Sequence, residues 1–167
     1  MADKYLYNNA GAITEKAAIQ SSAGAGDAGK IPALDTNGRI DNSMMPVGIG
    51  ADTASITTSE ALAAGDLVNV WNSTGAKARK ADASAAGKEA HGFVLAAVSS
   101  GAAATVYFEG TNNQVTGLTP GVQFLSTTPG QATATAPSGA GQVVQRVGFA
   151  TAAAALNFQS QNPIVLA

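Results

Sequence analysis

Two Thr-Pro-Gly triplets, at 119–121 and 128–130, stand nine residues apart. In each, proline pre-sets φ for the second position of a type II turn and glycine supplies the positive φ of the third. VQFLST between them has room for one short strand, and QATATA after the second is its natural hairpin partner. Further turn signals follow the same rhythm, at Ala64-Gly65-Asp66, Ser73–Gly75 and the loop ASAAGKEA. Spacing of roughly eight to twelve residues excludes long helices and predicts a β-sandwich or barrel.

The segments between the turns read as strands. SITTSEAL is half alternating, and LVNVWN at 67–72 alternates Leu67, Asn69 and Trp71 against Val68, Val70 and Asn72. KARKADA at 77–83 alternates base and alanine, as an exposed strand would; HGFVLAAVSS and TVYFEG are buried candidates. QVVQRVGF is predicted to place Val143, Gln145, Val147 and Phe149 on one face, Val144 and Arg146 on the other. ALNFQSQNPIVLA closes the chain with one or two short strands. The alanine-rich pieces 60–64 and 150–156 favour helix by propensity, but helices that short are marginal. The fold class is all-β, a small barrel or sandwich at 51–167 divisible into modules 51–115 and 116–167.

Residues 1–50 differ. They are rich in Gly, Ala, Asn and Asp, with short apolar pairs. AGAGDAG at 23–29 has linker composition, and Asn37-Gly38 is a two-residue hairpin signal in which Pro32 limits the preceding segment to an edge strand. An extended N-terminal arm that gains order by lying on something is the expectation. Met44 and Met45 would point to opposite sides of an extended strand. Both would be buried only if the arm is covered on two sides or one fills a partner's pocket; the alternative is that they cap the bottom of the protein's own barrel.

Charge is scarce and uneven. Charged residues are 12% of the 167, about half the usual quarter, and the net charge is −2. After Glu89 only Glu109 and Arg146 carry formal charge. A free monomer keeps charge on its surface for solubility, so much of this half is expected to face another protein. KARK at 77–80 is the one basic cluster, too little for a nucleic-acid partner. The chain has no cysteine, which suits a reducing cytosol. No segment has signal-peptide or membrane-span character, so a soluble protein is expected.

Chemistry-bearing motifs fail on context. GAGDAGKI at 24–31 mimics a phosphate loop, but Pro32 opposes the helix that must follow and Ile31 replaces the magnesium-binding hydroxyl. His91 is the only histidine and has no Ser–His–acid arrangement around it. Asp35, Asn37 and Asp41 lack the closing glutamate of a calcium loop. No paired carboxylates are apparent. Catalytic, cofactor and metal sites are therefore all expected to be absent. Trp71 is either core or an interface anchor.

Residues 59–110, SEALAAGDLVNVWNSTGAKARKADASAAGKEAHGFVLAAVSSGAAATVYFEG, resemble the head-decoration (capsid cement) proteins of tailed bacteriophages. The shared pattern is a small-Gly-Asp-apolar opening, a basic-alanine strand, a loop, Gly-apolar-apolar, and an exit strand ending in glycine. The stretch from Gly117 to the end is similar to a module of phage head-fibre and tail-fibre proteins, and GKIPALDTNGRIDNSMMP to a segment near fibre attachment regions.

The resemblance implies a β-tulip or β-clip-like domain and a homotrimer on the outer surface of the virion head, made in the host bacterial cytoplasm. There it would stabilise contacts between major capsid protein subunits. Tyr5, Tyr7, Ile31, Leu34, Ile40, Met44 and Met45 would be the capsid-contact candidates. Trp71, Tyr107 and Phe124 are candidates for trimer or surface binding. The alternative is the base of a head or tail fibre; only then would a glycan be a partner, stacked on those three aromatics.

Overall fold

Among the residues that the computed structural model describes, 3–45 and 51–167, the regular elements are strands and two single-turn 3-10 helices. The protein is all-β, as the turn spacing predicted. The chain divides into two units, Met1–Gly50 and Ala51–Ala167.

In the first unit, β1 (Lys4–Asn9) pairs antiparallel with β2 (Ala12–Ala17) from Lys4↔Ala17 to Asn9↔Ala12. The connecting Ala10 and Gly11 both have positive φ, 52° and 94°, as the two-residue primed turn requires. Gly11 N donates to Asn8 Oδ1 at 2.7 Å, holding the turn. The expected hairpin at Asn37-Gly38 is instead a side-chain-capped turn with no named strands beside it. Asp35 Oδ1 accepts from the amides of Asn37 (2.8 Å) and Arg39 (2.9 Å), and a carboxylate so placed competes with a ladder. Pro32 takes the edge role its missing donor demands: Ile19 N donates to Ile31 O and Ala33 N to Ile19 O.

The expected linker at 23–29 is wound into a 3-10 turn, Ala25–Asp27. Met44 ends a second, Asn42–Met44, capped by Asp41 accepting from Ser43 N. The methionine pair therefore sits at a turn, not in an extended strand, and Pro46 lies outside the described residues.

The second unit carries two five-stranded sheets. The first comprises β3 (Thr53–Thr57), β4 (Leu67–Asn72), β5 (Ala76–Lys80), β6 (Gly92–Val94) and β7 (Ala103–Tyr107), in the order β3-β7-β6-β4-β5. It curls until its edge strands meet at one parallel bridge, Thr58↔Ala78, without closing into a barrel. Ile56, Val68, Ala78, Val94, Ala104 and Val106, drawn from all five strands, fill the concave side. The alanines of the basic-alanine segment explain its pattern: Ala78, Ala81 and Ala83 are wholly buried, so the strand is half-buried rather than exposed.

The second sheet comprises β8 (Gly110–Asn112), β9 (Gly121–Leu125), β10 (Ala132–Thr133), β12 (Arg146–Ala152) and β13 (Ala155–Phe158), in the order β10-β9-β12-β13-β8. β11 (Val143–Val144) pairs separately with β14 (Ile164–Val165). The second Thr-Pro-Gly triplet makes the expected turn: Gly130 has φ 80° and Gln131 N donates to Thr128 O. The first does not, because Gly121 already begins β9. The alanine-rich 150–156 forms the β12–β13 hairpin.

The register of β12 against β9 shifts between Arg146 and Gly148, a β-bulge. The extra residue reverses the alternation. Val143, Gln145 and Val147 are buried as predicted, but Phe149 turns outward.

The convex side of the first sheet packs on the second. Leu67, Phe93, Leu125, Val147, Leu156 and Phe158 share one core. Phe93 stacks on Tyr107 at 5.4 Å and meets Phe158 edge-on at 5.6 Å, which ties the sheets together. Buried Gln145 seals the seam: its Oε1 accepts from Ala90 N (2.7 Å) and its Nε2 donates to Ala90 O (2.9 Å) and Ser160 Oγ (2.9 Å).

Candidate interaction surfaces

The β1–β2 register puts Tyr5, Tyr7, Thr14 and Lys16 on one face and Leu6 and Ile13 on the other. Tyr5 and Tyr7 are half-buried, with the Lys16 ammonium 5.1 Å from the Tyr7 ring centroid. Tyr5 Oη and Thr14 Oγ1 are enclosed without hydrogen-bond partners. Leu6 and Ile13 are 70% and 68% exposed. Ile31, Leu34, Ile40 and Met45 are exposed too, while Met44 is half-buried. Sequence reasoning missed Leu6 and Ile13; the signal was the alternation KYLYNN, whose leucine falls opposite the two tyrosines.

Trp71, Tyr107 and Phe124 are not brought together. Trp71, half-buried on β4, donates from Nε1 to Ser59 Oγ (3.2 Å), and the Arg79 guanidinium lies 4.5 Å from its ring centroid. Arg79 is itself fixed by Asn69 Oδ1 and Gly87 O. Tyr107 is committed to its stack with Phe93. Phe124 alone belongs to an outward face, where it is registered against Arg146 across β9–β12. On the same face Val122 opposes Phe149, at 42% and 39% exposure. The sequence pattern does not mark Val122 and assigns Phe149 to the opposite face, because the bulge that exposes Phe149 leaves no mark in a single strand's alternation.

Carboxylates in the suspected motifs serve the backbone. In GAGDAGKI, Asp27 accepts from Ala23 N and Lys30 Nζ, each at 2.6 Å, so the loop already holds an anion of its own. These bonds hold its carboxyl below the usual range, with the Lys30 bond the larger influence. Asp35 is lowered chiefly by the Arg39 amide, and Asp41 by the Ser43 side chain and amide. For Asp82, burial pushes upward, but bonds from the Ser84 hydroxyl, Lys88 and the Ser84 amide outweigh it, leaving it lowered.

A hollow of about 340 Å³ is lined by Gly65, Asp66, Gln114, Leu118, Gly130 and neighbours. Its carboxylate, Asp66, accepts from Ala63 N (2.8 Å) and pairs with Lys80 (3.3 Å). His91 Nδ1 accepts from Val70 N (3.0 Å), a backbone role. Among the described residues no three His, Cys, Asp or Glu side chains converge as a metal site would require, and no helix is long and apolar enough to cross a membrane.

No protein-family model matches the chain, and no curated protein or solved structure is significantly similar to it.

Proposed function

We propose that the protein is a structural, non-enzymatic component of a bacteriophage virion. In this role it is a decoration protein that binds the outer surface of the head as a homotrimer and stabilises contacts between major capsid subunits. The observation that carries this reading is the arm. Among residues 3–45 only Ala18 is buried, while Leu6, Ile13, Ile31, Leu34, Ile40 and Met45 are bare. Turns capped by Asp27, Asp35 and Asp41 spend side-chain hydrogen bonds on ordering a segment that covers little of its own apolar surface. Fully burying one such side chain yields about 1.5–3 kcal/mol, so a shell that covers several gains a substantial term. Three arms on one trimer would make the second and third contacts intramolecular and multiply affinity about 10²–10⁴-fold.

The fibre alternative asks Trp71, Tyr107 and Phe124 to stack on a sugar. Arg79 over Trp71, and Phe93 against Tyr107, leave those two rings engaged and make that reading the weaker one.

The test is removal of residues 2–46. Both apolar clusters lie within 51–167, so the truncated chain should fold and self-associate as before but lose binding to expanded heads. Retention on heads equal to the full chain would end the proposal for the arm.

A further inference from the structure

We infer that the outward face of β9, β12 and β13 is a self-association surface, joined head to tail by Arg146 of one copy against Glu109 of the next. This deepens the self-association part of the proposed function and rests on that part alone.

Three observations converge. First, Arg146 and Glu109 are the only formal side-chain charges after Glu89, and they are opposite in sign. Neither is paired among the described residues, whose four ion pairs are Lys4–Glu15, Lys30–Asp27, Lys80–Asp66 and Lys88–Asp82. Residues 1–2 and 46–50 carry no acidic side chain that could serve Arg146. Its Nε is enclosed without a hydrogen-bond partner.

Second, Arg146 sits among apolar side chains that are not fully covered. Cross-strand register puts it beside Phe124, with the exposed Val122–Phe149 pair on the same face. A lone cation on an otherwise uncharged apolar face is matched by a surface carrying a lone anion.

Third, this chain presents that anion at a complementary place. Glu109 is exposed and leads into β8, the edge strand of the same sheet. Beside it opens a recess of about 320 Å³, lined by Ala51, Gly110, Asn157, Phe158 and Gln159, where a neighbour's side chains can seat. β8 and β12 flank β13, so Arg146 on β12 and Glu109, just ahead of β8, lie two strands apart in the sheet. A two-fold axis passing close to Arg146 would set it toward its own symmetry mate, a like-charge juxtaposition that interfaces avoid. Face-to-edge packing pairs opposite charges instead, and where its rotation closes, as in the proposed trimer, it forms a ring.

The test is a charge-swap cycle followed by sedimentation equilibrium over a dilution series, with thermal melts to verify folding. Wild type should form a closed oligomer of fixed size. E109R and R146E, still folded, should each weaken it about tenfold or more, and the double variant should return to within about threefold of wild type. A wild-type chain that stays monomeric at the highest concentration, single variants that match wild type, or a double variant that fails to recover would each overturn the inference. Head binding measured in parallel separates the two claims. Binding by a monomeric chain sinks this interface and spares the shell reading, whereas a restored oligomer that ignores heads does the reverse.

Discussion

Gly148 is where backbone meets backbone. Its φ is 136°, and a Cβ there would lie 1.9 Å from Asn157 O and 3.0 Å from the same carbonyl carbon. Both contacts are with main chain, which cannot swing aside as a long side chain would. Gly148→Ala should therefore cost about 2–4 kcal/mol, from unfavourable φ plus overpacking. Gly26→Ala, with ordinary φ and open space, should be nearly silent. Chemical denaturation of both variants checks this, and an unchanged G148A midpoint would contradict the bulge geometry. The same bulge explains why Phe149 was misplaced from the sequence. QVVQRVGF alternates faultlessly, and Val143, Gln145 and Val147 follow it inward. The inserted residue is a property of the β12–β9 pair, and the alternation of one strand holds no trace of its partner's count.

At the scale of elements, the turns of residues 3–45 depend on carboxylates that accept backbone amides. Asp35 and Asp41 are held below their ordinary values by such bonds, as is Asp27 by Lys30 and the Ala23 amide. A lowered carboxyl contributes stability that is complete above the unfolded value, about 3.9, and is lost as pH falls through the folded one. The amides of Asn37, Arg39 and Ser43 should thus keep their hydrogen-bonded chemical shifts from neutral pH to about 4 and move only below it. An NMR titration checks this; midpoints above the ordinary carboxylate value would contradict the caps. Strands were largely legible because turn residues punctuate them. The arm's hairpin was not. Asn37-Gly38 carries the stronger composition, but Asp35 captures its amides, while the unremarked Ala10-Gly11 is fixed by Asn8 and by six paired residues on each side.

For the whole molecule, the distribution of what is left uncovered matters more than any single site. The 51–167 unit buries two apolar clusters and seals the seam between its sheets with Gln145. What it leaves open is an apolar sheet face with one cation and an edge with one anion, neither of them ion-paired among the described residues. The arm leaves open most of its large aliphatic side chains. Scarcity of charge was plain in the sequence and pointed to contact with other proteins; which faces make that contact depends on register, which composition does not encode. On the proposed reading, a chain arranged this way would complete its packing against copies of itself and a repeating lattice. The most direct check is to count its copies in purified virus particles by quantitative mass spectrometry against the major shell subunit. Hundreds of copies per particle, in fixed ratio to that subunit, are predicted; none, or only a few dozen, would contradict a role as cement.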